Sequence, residues 1–149
     1  QSKEIIVRDQ LQNRVNDNFA RMYHGERSII IDDKYRVKYS DVTTEESDGL
    51  KAVKSFAFIA ALVSMAKDKI LDDSEMKLGQ VYPLVMDAPL SAFDKRRIKT
   101  VCEALPETAE QVIIFIKDTD GELAEDYMGD KIGSRHHFDK KNEFETTLV

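Results

Sequence analysis

The stretch that decides the fold is Leu84-Val85-Met86-Asp87-Ala88-Pro89-Leu90-Ser91-Ala92-Phe93-Asp94, which opens directly into Lys95-Arg96-Arg97. The run from Val81 to Met86 is short, apolar and ends on an acid. That pattern predicts a buried parallel strand whose carboxyl end faces a ligand. Lys95 to Leu105 reads as a helix punctuated by Pro106, and Gln111 to Lys117 as a second buried strand. A short helix near Glu122 to Met128 and a last strand near Phe144 to Val149 follow. Strand, helix, strand and helix of these lengths predict an α/β fold, a mainly parallel sheet flanked by helices.

Upstream, residues 4 to 23 read as a helix with Leu11, Val15, Phe19 and Met22 on one face. Its Asn and Gln content is high for a helix standing alone, so it leans on another element. Residues 28–32 and 35–39 predict two strands joined through Asp32-Asp33-Lys34 as a hairpin. After a polar stretch from Asp41 to Gly49, a helix is predicted from Leu50 to Lys69. Its centre, Phe56 to Val63, is apolar nearly all round and should be buried between layers. A charged loop, Leu71 to Gly79, leads back to the opening stretch.

With 149 residues, 42% hydrophobic and 34% charged, and only 6 Gly and 3 Pro, the chain suits one folded domain, 1–149, and no disordered or repetitive class. Its single cysteine, Cys102, excludes a disulfide framework or a four-thiolate zinc site within the chain. The net charge is −6, and nine acids against four bases from Asp118 onward leave the rest nearly neutral. No overall basic character points to nucleic acid. The longest apolar run falls short of the ~20 residues that span a bilayer, and no basic-then-apolar leader is present. A cytoplasmic protein with no membrane partner is expected. The chain starts without methionine, in mid-pattern, as a fragment would.

Asp87, at a strand's carboxyl end, is placed to hold Mg²⁺ on a nucleotide, or simply to cap the following turn. Ser47-Asp48-Gly49-Leu50-Lys51 opens the buried helix. Its Ser, flexible Gly and free N–H groups suit an anion, or an ordinary helix cap. The remaining candidates favour structural roles. His136-His137, Asp139 and His24 lack metal-ligand spacing. Lys95-Arg96-Arg97 with Lys99 reads as a solvated helix face, and Cys102 and Tyr127-Met128 as packing.

Asp87-Ala88-Pro89-Leu90-Ser91-Ala92-Phe93-Asp94 resembles the Walker B strand and D-loop of ABC-type ATPases. Ser47, Gly49 and Lys51 match that family's signature motif in its Ser-x-Gly-x-Lys form. The order and gaps over residues 44 to 118 strengthen the resemblance. The Ser-x-Gly-x-Lys form, the helix at 4–23 and the hairpin at 28–39 resemble the coiled-coil ATPases of chromosome maintenance and DNA repair, namely the SMC proteins, RecN and the double-strand-break-repair ATPases, and within that group the Asp87–Asp94 stretch resembles the DndD-like prokaryotic DNA-defence ATPases. The resemblance implies the C-terminal lobe (28–149) of an ATPase head, entered by the foot of a coiled coil (4–23). It implies ATP and Mg²⁺ as cofactors, with Asp87 as the metal ligand. Ser47, Asp48, Gly49, Lys51 and Ser91 would be nucleotide-binding, with Ser91 and Asp94 sensing closure. The partners implied are an N-terminal lobe carrying Walker A, a second head as a homodimer, and DNA. A nucleotide-gated scaffold, and a transporter or translation-factor ATPase domain, are the competing readings.

Two positions depart from the family pattern. The residue after the Walker B Asp is Ala88, not the usual catalytic Glu, and alanine cannot act as a base. Another acid such as Asp94 or Asp118 serves, or the position is an engineered trap. The switch-histidine position falls at Lys117 or Asp118, where a lysine can contact phosphate but cannot relay protons as imidazole does. No Gly-x-x-x-x-Gly-Lys-Ser/Thr occurs, so half a nucleotide site is expected.

Overall fold

A computed structural model of the chain describes residues 3–41, 46–72 and 83–149. Val42–Glu45 of the polar stretch, most of the charged loop, and Val81 and Tyr82 lie outside the described residues. The first helix, α1 (Lys3–Met22), buries Leu11, Val15, Phe19 and Met22, the face its helical spacing predicts. What it leans on is the hairpin β1 (Ile29–Ile31) and β2 (Val37–Tyr39), paired antiparallel with Ile29 opposite Tyr39. On the outer edge of β1, where a third strand would pair, α1 supplies amide side chains. The Ile29 N–H donates to Asn16 Oδ1 (2.7 Å), Asn16 Nδ2 donates to the Ile29 carbonyl (2.8 Å), and the Ile31 N–H donates to Gln12 Oε1 (2.8 Å). Buried backbone groups need such partners, which explains the amide-rich helix.

The long helix α2 (Asp48–Asp72) packs along α1 and buries Leu50, Val53, Phe56, Ala57, Ala60 and Ala61. Arg14 of α1 ties the two together by donating to the Ser64 hydroxyl (2.5 Å) and pairing with Asp68. Between Asp48 and Lys69, α2 has the length and composition of a membrane span. Its inward side is nevertheless part of the core shared with α1. It is not enclosed all round as its composition predicts, because Ile59 and Leu62 are exposed.

Among the described residues the expected mainly parallel sheet is reduced to one parallel pair, β3 (Leu84–Asp87) and β4 (Val112–Phe115), connected by α3 (Lys95–Thr108). The other two ladders are antiparallel hairpins. Nor are β3 and β4 buried on both faces. Leu84 is buried, but Val85, Ile113 and Phe115 are exposed, because α3 and α4 (Asp118–Met128) cover only one side of a two-stranded sheet. Pro106 does not end α3, which runs to Thr108. Proline removes one N–H, and near a helix end that loss is local. The Thr108 hydroxyl satisfies the Leu105 carbonyl at 2.6 Å. The helix predicted near Glu122 begins earlier, at Asp118. The last strand, β6 (Thr146–Leu148), pairs with β5 (Phe138–Lys140), a strand absent from the sequence reading because each of its residues is exposed.

The core is continuous from α1 through α2 to α3, where Ile98, Val101, Cys102 and Leu105 are buried at helical spacing. Tyr127 and Met128 of α4 pack against it as predicted. Leu105→Ala should cost ~2–5 kcal/mol, as for other fully buried leucines, read from the denaturant midpoint. Burial pushes the Cys102 thiol from 9.0 up to about 11. The protonated thiol therefore contributes stability that is complete below pH 9 and declines as pH rises toward about 11. Melting temperatures across that interval should fall less steeply for Cys102→Ala.

Candidate functional site

Asp87 ends β3, exposed, in register with Phe115 of β4. The Ala88 N–H extends the ladder by donating to the Phe115 carbonyl (2.8 Å). The chain then breaks away through Ala88 at φ +45°, in the left-handed region. That conformation costs a residue with a Cβ ~1–2 kcal/mol. The turn it starts is closed by its own groups. The Ser91 hydroxyl donates to the Ala88 carbonyl (2.9 Å), and the Phe93 N–H donates to the Leu90 carbonyl (3.0 Å). Leu90 is wholly buried and anchors the turn in the core. Asp94 caps α3, its carboxylate accepting the Arg97 N–H at 2.9 Å.

Ser47 caps α2. Its hydroxyl accepts the Leu50 N–H at 3.3 Å, and its carbonyl accepts the N–H groups of Leu50 and Lys51 at 3.0 Å. The Lys51 ammonium pairs with Asp48 (3.0 Å), which holds its pKa above the ordinary lysine value. Gly49 touches the turn after Asp87. A Cβ on Gly49 would lie 3.2 Å from the Ala92 carbonyl oxygen and 2.9 Å from Arg97 Nη1. The fold therefore brings the Ser47–Lys51 segment against the 88–94 turn, and glycine permits the close approach.

Lys117 does not end a strand. β4 stops at Phe115, and Lys117 forms the cap position of α4, its carbonyl accepting the N–H groups of Asp120 (3.0 Å) and Gly121 (2.8 Å). Because Asp87 pairs with Phe115, both Lys117 and Asp118 leave the same carboxyl edge of the sheet as Asp87. Asp94 and Ser91 stand one turn away, already engaged in the bonds above.

Two contributors escaped the sequence reading. Tyr39 of β2 donates its hydroxyl to the Leu50 carbonyl (3.1 Å), fixing the first turn of α2. The Arg27 guanidinium (5.2 Å) and the Lys54 ammonium (4.8 Å) both lie over its ring, and Lys54 pairs with Glu46 (2.8 Å). Burial, and then the Glu46 carboxylate, hold the Tyr39 phenol above its usual pKa, so it remains a donor through alkaline pH. Its only signal in sequence is the alternation of the strand. The second is Arg97, expected on a solvated face but half-buried against Gly49, while Lys95, Arg96 and Lys99 are exposed as expected. No cluster of three metal-ligating side chains exists among the described residues. The His137 backbone serves instead as a strand edge, exchanging hydrogen bonds with Val149 (2.8 Å each).

This arrangement of helices around a short parallel pair is the fold of a lobe of an SMC head domain. An SMC ATPase head studied for ATP-driven dimerization and DNA-stimulated activation superposes with TM-score 0.62 at 14% identity, over 99% of this chain and 88% of that one. The SMC head bound to the C-terminal winged-helix domain of ScpA gives 0.55 at 14% identity. An SMC head with an extended coiled coil, bound to the C-terminal domain of ScpA derived from Pyrococcus furiosus, gives 0.51 at 15%. Each of these two matches covers 81% of this chain, which spans 38% and 31% of their lengths respectively. No protein-family model matches the chain, and no curated protein does.

The close contact at Gly49 and the strained backbone at Ala88 give opposite expectations. Gly49→Val should destabilise by ~1–3 kcal/mol, since added methyls must displace the Ala92 backbone. Ala88→Gly should stabilise by up to ~1 kcal/mol, the left-handed penalty less the entropy cost of glycine. Thermal melts of the two variants check both.

Proposed function

We propose that this chain is the C-terminal lobe of an ATP-binding head of the SMC/RecN-like kind, acting on DNA through ATP-driven pairing of heads. The observation that carries the reading is the Gly49 contact. It joins the signature-like segment, which would meet the γ-phosphate of a partner head, to the turn that follows Asp87. The exposed apolar side chains Val85, Ile113 and Phe115 flank Asp87 and suit a further lobe covering that side of the sheet. That lobe would carry Walker A. α1, with Ile6 and Val7 exposed near its start, would be the foot of the coiled-coil arm.

The donor set fits a metal carried in by nucleotide. Asp87 is a lone exposed carboxylate at the strand end, too few ligands for an all-protein site but the usual protein share of a Mg²⁺ held mainly by phosphate oxygens and water. When bound, Mg-ATP supplies the polarised γ-phosphoryl group. Asp87 would hold the metal's water shell, Ser47 and the N–H groups of Asp48 and Gly49 at the start of α2 would face the γ-phosphate of a partner head's nucleotide, and Lys117 would bring a cation to the same sheet edge as Asp87. Lys51, paired with Asp48, steadies that turn. Ser91 and Asp94 hold the turn that a second head would press on.

Ala88 favours a second reading, a nucleotide-gated scaffold of negligible turnover, since its methyl stands where a general base is needed. A cytoplasmic setting suits both readings.

Calorimetric titration tests the proposal. The 149-residue chain alone should show no micromolar affinity for Mg-ATP, whereas the chain joined to a Walker A lobe should. Asp87→Asn should abolish the Mg²⁺ dependence of the joined form. Micromolar binding by the chain alone would overturn the half-site reading. In the joined form, Ala88→Glu should raise ATP turnover by ~100-fold or more if general-base loss limits the rate. Unchanged turnover assigns the base to another acid.

A further inference from the structure

The Ser47–Lys51 segment is held by its own cap and also from the hairpin, and the two holds differ in kind. The cap is internal. Ser47 accepts the N–H groups of Leu50 and Lys51, and its hydroxyl bond is long at 3.3 Å. Every atom of that cap moves with the segment, so it fixes the shape of the turn and not its place. The place is set by grips on either side of Ser47–Gly49. At Leu50 the Tyr39 hydroxyl donates to the carbonyl at 3.1 Å, using the second lone pair of that oxygen. At Glu46 the carboxylate stands beside the same phenol, and the Lys54 ammonium reaches its two oxygens at 2.8 and 3.0 Å. Lys54 lies over the Tyr39 ring, 4.8 Å from its centroid, where the π face attracts a cation. The Lys54 and Glu46 side chains are only 18% and 20% exposed, so solvent screens their attraction little. Tyr39 is itself backed by Phe19 of α1, with ring centroids 5.9 Å apart, and by the ladder to β1.

We propose that Tyr39 is a positioning residue, which sets the direction in which Ser47 and the N–H groups of Asp48 and Gly49 leave this lobe toward a second head. The proposal rests on the half-site reading and adds to it the residue that aims the segment. The first N–H groups of a helix have no partner within it, and Gly49 gives the backbone around them freedom to swing. Hydrogen bonds weaken steeply with misalignment, so direction limits what these donors can hold. The Tyr39 hydroxyl is spent on the Leu50 carbonyl and makes no contact of its own with the second head. Its effect therefore falls on the meeting of heads, and not on the nucleotide that each head holds through Walker A.

Tyr39→Phe tests this, because it keeps the ring and the cations over it and removes one donor. In the 149-residue chain, amide hydrogen exchange at Leu50 and Lys51 should quicken about fivefold, the worth of one hydrogen bond, with Val101 and Leu105 of α3 unchanged. In the joined form, Mg-ATP-dependent pairing should weaken about 25-fold, fivefold for each copy of the segment in the pair. The Mg-ATP affinity of a single head, measured below the pairing concentration, should not change. A merely structural loss would lower both together. Ser40→Ala is the control: it removes the Ser28–Ser40 hydroxyl bond (2.8 Å) of the same hairpin without touching α2, and should move neither exchange nor pairing. Unchanged exchange at Leu50 and Lys51 in Tyr39→Phe, an equal loss of pairing in Ser40→Ala, or equal losses of pairing and single-head affinity would each overturn the proposal. If the unaltered joined form does not pair on Mg-ATP, the half-site reading fails instead, and the exchange rates still decide whether Tyr39 holds the segment.

Discussion

The close approach of Gly49 to the Ala92 carbonyl is the constraint on which the candidate site depends. It can form only because the turn after Asp87 is held rigidly on one side and the first turn of α2 on the other. Leu90 buries itself in the core, Ser91 bonds back to the Ala88 carbonyl, and Asp94 caps α3. Across the contact, Ser47 caps α2 and Tyr39 grips the Leu50 carbonyl. Each interaction is worth about a kcal/mol. Together they place two segments about forty residues apart within van der Waals reach.

The hairpin owes its place to α1. Gln12 and Asn16 act as a strand made of side chains, giving the outer edge of β1 the partners a sheet would supply. Because Tyr39 lies on β2, that amide pairing is transmitted through the hairpin to the start of α2. α1 therefore contributes more than its apolar stripe. It sets the height at which the Ser47 segment meets the 88–94 turn.

The other side of the sheet follows a different logic. β3 and β4 expose Val85, Ile113 and Phe115 beside Asp87, and Phe115 stacks on Phe138 of the last hairpin with ring centroids 6.1 Å apart. Apolar side chains concentrated around a strand-end carboxylate are a surface built for contact. The SMC heads that it resembles in fold are spanned by this chain to between 31% and 88% of their lengths.

Much of this was legible from local pattern. The face of α1, the hairpin, the buried stripe of α3 and the strand ending at Asp87 follow from periodicity and turn chemistry, which act within a few residues. The resemblance carried by residues 47–51 and 87–94 also depended on order and spacing alone. Tertiary structure decided what depends on neighbours distant in sequence. β3 and β4 look doubly buried because their side chains are apolar, yet two helices cover one side only. Ile59 and Leu62 remain open on α2 for the same reason. β5 depended on pairing with β6, which the exposed residues of β5 do not signal. The sequence by itself determined the elements and the chemical groups at Ser47, Asp87 and Asp94. Only the packed chain decided that Gly49 touches Ala92, that Tyr39 belongs to the site, and that Arg97 lies half-buried against Gly49, because contact between distant residues is set by packing and not by periodicity.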